Sequence, residues 1–359
     1  MTRRIVISGY YGFNNLGDEA VLAATVAALR DRVPQAEIAV LSAAPGETSR
    51  VHGVAGIPRD RPREVAWALR GSDLFLSGGG SLFQDATSWR SPWYYLGILL
   101  AARRLARHTA VYAQGIERPR RPGVRAAMRR VLNAVELITV RDRASLDVLA
   151  GLGVRRPRTA LCADPSLLLT PDWSAAAASE RAKWETGRWF GLALRSWGSG
   201  AAVRAAAAAA ATVAERRGIR WALLPMHPPG DLATCEALAS HLGPAATVVR
   251  APLGPREMLA LVGTLDLLVG MRLHALLFAA AQGVPIVPII YDPKIAALAR
   301  ELDEPPPLPA DGLRADALVA AIESADEHRG VRRARISAAA ARLRERAALA
   351  PALVAGLLE

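Results

Sequence analysis

DLLVGMRLHALLFAAAQGVPIVPIIYDPK, from Asp266 to Lys294, is the stretch on which the fold turns. Leu267–Val269 reads as a short buried strand stopped by Gly270. From Met271 to Gln282 alternation gives way to an Ala-rich apolar run, which predicts a helix ended by Gly283. Val284–Ile290 is a second β-branched run, and Tyr291–Lys294 leaves its end. Strand, helix, strand in this order is the βαβ unit of a parallel sheet. Arg272 and His274 fall in the helix's first turn, where free backbone N–H groups and the positive end of the dipole favour an anion. A right-handed crossover returns Lys294 to the same sheet edge, so three cations are expected to converge there. A histidine near a helix start is more commonly a surface or capped residue, so its assignment needs independent support.

Composition supplies some. Of the 45 basic residues only Lys183 and Lys294 are lysines. A lysine that persists against an arginine bias points to a need for a compact, titratable ammonium. Lys183 lies in a polar stretch, whereas Lys294 ends a buried strand. Side-chain amides are equally scarce, yet Asn14, Asn15, Gln84 and Gln114 all fall in glycine-bearing loops after predicted strands.

Working outward, the strand–helix alternation fills the chain. Arg4–Ser8 is a strand followed by the loop GYYGFNNLGDE (Gly9–Glu19) and a helix from about Asp18 to Arg32. A glycine-rich turn between first strand and first helix is where doubly wound folds bind ligands. The spacing is not GxGxxG, so a dinucleotide fingerprint is absent. Asp18 reads either as a helix cap or as a group that handles a sugar hydroxyl. Glu37–Ser42 and Asp73–Ser77 are further strands, the latter running into Gly78, Gly79 and Gly80, which let backbone approach a ligand. Trp89, Trp93, Tyr94 and Tyr95 form an aromatic cluster read mainly as packing. Thr109–Gln114, Glu136–Val140 and Thr159–Ala163 complete the first set, with Arg141 at a strand's C-terminal end. Residues 173–187 read as a linker between an N-terminal domain, 1–172, and a C-terminal domain, 188–330. In the second, strands at Trp189–Arg195, Ile219–Pro225 and Thr247–Arg250 precede the opening βαβ unit. The tail, 331–359, reads as amphipathic helix that by analogy crosses back onto the first domain. The fold class is thus α/β, two Rossmann-like domains facing a cleft, a GT-B-like architecture.

The 359 residues hold two sizeable cores, and no apolar run is long enough to span a membrane. The start enters a strand without a signal-peptide pattern, so the expected location is the cytoplasm. Cys162 and Cys235 stand alone, which excludes a disulfide framework and a CxxC metal site.

These residues together resemble the polysaccharide pyruvyltransferase family, and within it the bacterial cell-wall CsaB type. The likeness is carried by Gly9–Glu19, SGGGSLFQD (Ser77–Asp85), AQGI (Ala113–Ile116), VRDRAS (Val140–Ser145), Asp164-Pro165, LPMHP (Leu224–Pro228), GMRLHA (Gly270–Ala275) and YDPK (Tyr291–Lys294). One departure stands out: Glu117-Arg118-Pro119 follows Gln-Gly-Ile where the family has Gly-Pro. The resemblance implies transfer of the pyruvyl group of phosphoenolpyruvate onto two hydroxyls of a sugar, giving a cyclic ketal and phosphate. For the CsaB type the implied acceptor is N-acetylmannosamine of a lipid-linked wall-polymer precursor, and the ketal serves surface-layer anchoring. Catalytic roles are carried over to His274, Arg141 and Lys294. Substrate contacts are expected from Arg272, Asn15, Asp18, Gly79, Gly80, Gln84, Gln114, Arg195 and His227, with no metal and no cofactor beyond the donor.

The nearest rival is a nucleotide-sugar-dependent GT-B glycosyltransferase, which needs similar phosphate contacts. A nucleic-acid-binding protein, suggested by the net charge of +12, fits less well. Its arginines are spread along the chain among acids, without a recognition motif. Part of the charge is expected to hold the chain against anionic lipid. The sequence leaves the oligomeric state open.

Overall fold

The structure, a computed structural model, describes residues 3–85 and 88–359. It divides into two compact units, one of Met1–Leu169 with Leu343–Glu359 and the other of Thr170–Arg342.

In the first unit the elements run β1 (Arg4–Ser8), α1 (Leu16–Arg32), β2 (Glu37–Ser42), α2 (Pro45–His52), β3 (Ala55–Pro58), α3 (Pro62–Leu69), β4 (Leu74–Ser77), α4 (Ser91–Leu105), β5 (His108–Gln114), α5 (Pro122–Leu132), β6 (Leu137–Val140), α6 (Arg143–Gly151) and β7 (Arg158–Leu161). Among the described residues these strands form one seven-stranded sheet in the order β3-β2-β1-β4-β5-β6-β7, parallel throughout. The order reverses between β1 and β4, where Ser8 lies opposite Ser77. The loops after these two strands diverge to opposite faces and leave a crevice at their C-terminal ends. One face is buried under α3, α4, α5 and α6, with Leu69, Leu99, Met128 and Leu149 in the core. The other is buried under α1, whose Leu22, Val26 and Leu29 join Ala350, Val354 and Leu358 from the chain's end. Strand β3 and helix α2 are absent from the sequence expectation. Ala-Gly-Ile-Pro has neither β-branched enrichment nor alternation, and its pairing with β2 at the sheet edge is what makes it a strand.

The second unit runs α7 (Ala175–Ala182), β8 (Trp189–Ala193), α8 (Ala201–Arg217), β9 (Arg220–Leu223), α9 (Gly230–Leu242), β10 (Ala246–Val248), α10 (Pro255–Val262), β11 (Leu267–Gly270), α11 (Leu273–Ala281), β12 (Ile286–Ile290), α12 (Pro293–Glu301), β13 (Leu308–Pro309), α13 (Ala315–Glu327) and α14 (Arg329–Ala347), followed by α15 (Leu349–Ala355). Residues 343 onward, the end of α14 and all of α15, belong to the first unit. The second sheet has the order β10-β9-β8-β11-β12-β13, again parallel, with its reversal between β8 and β11. Small residues let α8 sit close: Ala206, Ala209 and Ala210 are buried, and Trp221 donates its Nε1–H to the Ala210 carbonyl at 3.0 Å.

The stretch 173–187 is not an extended linker. Ser174 caps α7, and Glu180 is buried with its carboxylate accepting from Ala251 N and Lys183 Nζ. Its buried positions, Ala177 and Glu180, are three residues apart, the spacing of one face of a short packed helix. The aromatic cluster also departs from expectation. Tyr95 is buried, but Trp89 and Trp93 are 55% and 45% exposed. Among the described residues no helix is long and apolar enough to cross a membrane.

Candidate active site

In the first unit the loop after β1 is held from several sides. Asn15 caps α1 by accepting from Gly17 N, while Asp18, in the helix's first turn, is not the cap. Glu19 accepts from Gly12 N at 2.8 Å and meets His52 Nε2 at 2.9 Å. Arg59 donates to the Gly9 carbonyl and spreads over Phe13, Tyr94 and Tyr95 with centroid distances of 5.1, 4.3 and 5.4 Å. Burial pushes the Tyr95 phenol up to about 12, so it stays a neutral donor to Gly9.

The glycines after β4 have separate physical tasks. A side chain on Gly79 would stand 2.6 Å from Val21 Cγ1, so this glycine lets α1 pack against the strand end. Gly80 has φ +103, and a Cβ there would lie 3.1 Å from Asp18 Oδ1, which places that carboxylate against the loop backbone. Gln114 is fully buried; its amide donates to the Gly78 carbonyl, and its oxygen faces Leu82 N at 3.5 Å. Asn15 and Gln114, expected as substrate contacts, thus use their amides to shape loops. Gln84 stands half-buried just beyond Leu82.

Arg141 follows β6 and lies flat over Gly115, where any Cβ would stand 2.5 Å from its guanidinium. It donates to Ser81 Oγ at 3.2 Å and has Asp142 and Asp164 each at 3.5 Å. Its side chain is only 7% exposed. Two acids balance its charge and fix its plane, which makes it a preset donor rather than a mobile cation. The departure at Glu117 does not loosen the neighbouring loop. Arg120 and Arg121 donate their backbone N–H groups to Asp85 at 2.8 and 2.9 Å. Burial raises the Asp85 carboxyl, but those bonds and the Arg121 guanidinium outweigh it and hold it below the usual range.

In the second unit four neighbouring parallel strands, β9, β8, β11 and β12, release their chains at one edge. His227, Arg195, Arg272 with His274, and Lys294 follow them respectively. The five sequence-predicted residues of the second unit thus follow strands on either side of its reversal point. Arg272 is the N-cap residue of α11, and its guanidinium is engaged by Asp231 through two donors. Asp231, whose side chain is 2% exposed, also accepts from Met226 N and His227 N at 3.1 and 2.9 Å. Arg272 therefore pins the β9 loop to the β11 loop through Nε and Nη2. His274 is half-buried in the first turn of α11. Lys294 lies in the first turn of α12, with its amine 2.7 Å from Asp292, the capping residue. Arg195 donates to Tyr291 Oη at 3.2 Å and stacks on that ring, against which Trp197 also packs at 4.9 Å.

Asp231, Asp164, Tyr291 and Arg59 were not singled out as site residues from sequence. Asp164 and Tyr291 follow strands within the quoted motifs, a signal that was available. Asp231 and Arg59 carry little local signal, because the side chains they meet, Arg272 for Asp231 and Phe13, Tyr94 and Tyr95 for Arg59, lie far from them in sequence.

A likeness to solved structures accompanies this geometry. HepE of Anabaena in complex with UDP-glucose is 15% identical, with 99% of each chain covered and a TM-score of 0.63. The S. aureus MnaA–UDP structure is 9% identical over 96% of this chain and 95% of that one, at 0.67. UDP-GlcNAc 2-epimerase of Neisseria meningitidis, bound to UDP-GlcNAc, is 9% identical over 100% and 99%, at 0.64. At such identities the likeness establishes the α/β, GT-B-like fold alone. No curated protein sequence matches the chain. The model of the polysaccharide pyruvyl transferase family, however, matches residues 15–293. That span contains the glycine-rich end of β4, Arg141, Arg272 and His274, and the chain belongs to the polysaccharide pyruvyl transferase family.

Proposed function

We propose that this transferase is of the CsaB type. It moves the pyruvyl group of phosphoenolpyruvate onto two hydroxyls of an N-acetylmannosamine unit in a lipid-linked wall-polymer precursor, and so prepares the polymer for surface-layer anchoring. The observation that carries the reading is the edge of the second sheet. Arg195, His274 and Lys294 follow adjacent strands β8, β11 and β12, the last two in the first turns of α11 and α12. Such an edge suits a small trianionic donor, which needs several fixed cations and backbone donors.

The chemistry needs a proton delivered to the methylene carbon of phosphoenolpyruvate, which leaves an oxocarbenium-like C2. One sugar hydroxyl attacks C2 and loses its proton. Phosphate then departs with the C2–O electron pair, and the second hydroxyl closes the ketal as its proton is released. His274, in the first turn of α11, serves as the general acid or base. Lys294 faces the departing phosphate as a point charge, and the Asp292 pair sets its position. Arg195 and His227 contact the substrates on the same edge. Within the first unit, Asp18 is the candidate for a sugar hydroxyl and Arg141 the candidate catalytic cation, each at a glycine-lined strand end. No metal is required, because these cations provide the electrostatic stabilisation. The enzyme works in the cytoplasm at the inner face of the membrane, where a lipid-linked acceptor resides.

The test is phosphate release from phosphoenolpyruvate with and without a lipid-diphosphate disaccharide ending in N-acetylmannosamine. Acceptor-dependent phosphate that disappears in His274→Ala supports pyruvyl transfer. Release of a nucleoside diphosphate from a nucleotide sugar, with phosphoenolpyruvate inert, would replace this reading by glycosyl transfer.

A further inference from the structure

The positive charge of the chain is not evenly laid out. Between Ser88 and Val135 there are ten arginines and one acid, Glu117, an excess that makes up most of the net +12. This segment contains α4 and α5, which lie side by side on one face of the first sheet and share its core. Helix α4 buries Tyr95, Leu96, Leu99 and Ala102, which leaves Trp93, Gly97, Leu100 and Arg104 at helical spacing on the outward face. Trp93 and Leu100 are 45% and 40% exposed, and Trp89, just before the helix, is 55% exposed with the Arg90 guanidinium 5.2 Å from its ring.

We infer that this face of the first unit, centred on Trp89, Trp93 and the exposed arginines of the β5–α5 connection, is a docking surface for an anionic lipid bilayer. Indoles sit favourably at the headgroup level because they are apolar bodies with one polar edge, and a protruding leucine beside them adds buried area. Arginines around them meet the negative surface potential of the bilayer. Exposed Trp93 and Leu100 are costly on a face that meets only water, and a nucleic acid would reward the arginines but not the leucine. Arg118 and Arg120 follow β5, and Trp89 follows β4, so the surface adjoins the sheet edge that carries Gly80 and Gln114. A docked bilayer therefore presents headgroups beside that edge. The inference deepens the proposed function by naming how a lipid-linked acceptor is reached.

The test measures binding to vesicles rather than turnover, so it stands apart from the identity of the reaction. The full chain is sedimented with vesicles of phosphatidylcholine alone or with 30% phosphatidylglycerol, at low and high salt. Trp89→Ser/Trp93→Ser and Arg118→Ser/Arg120→Ser are compared with wild type, each checked for unchanged circular dichroism. We expect binding only to the anionic vesicles, weakened by salt, and reduced about fivefold per arginine removed. The tryptophan pair is expected to lose binding severalfold and to lose the blue shift of its fluorescence on the bilayer. Equal binding by wild type and both variants would overturn the inference. So would a shift of the variants from dimer to monomer, or capture of an oligonucleotide in preference to the vesicles.

Discussion

At the scale of single residues, the molecule shows how a charged side chain is committed before any substrate arrives. Arg272 looked from its place in a helix's first turn like an anion clamp, yet Asp231, 41 residues away in sequence, takes two of its donors. Breaking this pair strands a buried charge and two backbone N–H groups. Asp231→Ala is therefore expected to cost about 3 kcal/mol of stability in a denaturant titration, and Asp231→Ala/Arg272→Ala less than the sum of the single changes. Additivity in that cycle would mean that the two groups do not act together. Gly115 offers the complementary case. A methyl group there would stand 2.5 Å from Arg141, so Gly115→Ala must displace the guanidinium from its place between Asp142 and Asp164. The expected outcome is a large loss of kcat/KM with a change in melting temperature of only a few degrees. Unaltered turnover would overturn the catalytic role proposed for Arg141.

Elements are positioned by a few latches whose energies can be read. The loop after β1 hangs on Arg59, which joins the Gly9 carbonyl to three aromatic rings. Cation–π contacts of this kind are worth about 1 kcal/mol each. Arg59→Ala is expected to raise amide exchange in Gly9–Asn15 by about tenfold while leaving the exchange of β5 unchanged. Helix α14 is latched by Glu304, whose side chain is fully buried 2.8 Å from Arg332. Burial raises the Glu304 carboxyl above its ordinary value, although Arg332 and Arg335 pull it down. A carboxyl raised on folding binds its proton more tightly in the folded state, so stability falls as pH rises through its unfolded value toward the folded one. The melting temperature of wild type relative to Glu304→Gln should therefore decline as pH is raised from about 4 upward. A difference that grows with pH would reverse the sign assigned here.

For the molecule as a whole, the first unit is closed by the end of the chain. Ala350, Val354 and Leu358 are buried in the core beneath α1, and Arg3 donates to the Leu358 carbonyl at 2.5 Å. At about 2 kcal/mol for a fully buried large aliphatic side chain, removing residues after Ala348 is expected to cost roughly 4 kcal/mol. In a urea titration, the cost should fall on the transition of the first unit and leave that of the second unmoved. A single cooperative transition that shifts as one would show instead that the two units unfold together.

The alternation of β-branched runs with apolar-faced helices, and the glycine or arginine at each strand end, were legible in the sequence because they are local patterns with periods of two and 3.6. They determined the two parallel sheets and placed His274, Arg195, Arg272 and Lys294 after strands. What they left open depends on contacts between distant residues. The edge strand β3 exists because β2 pairs with it, and α7 is a packed helix rather than a linker because its buried Glu180 meets Ala251. Asn15 and Gln114 became loop-shaping amides, and Arg272 became the partner of Asp231, because a buried polar group must find its partner wherever the fold brings one. Residue type and spacing therefore placed the candidate residues after strands, and tertiary structure decided which partners hold their charged groups.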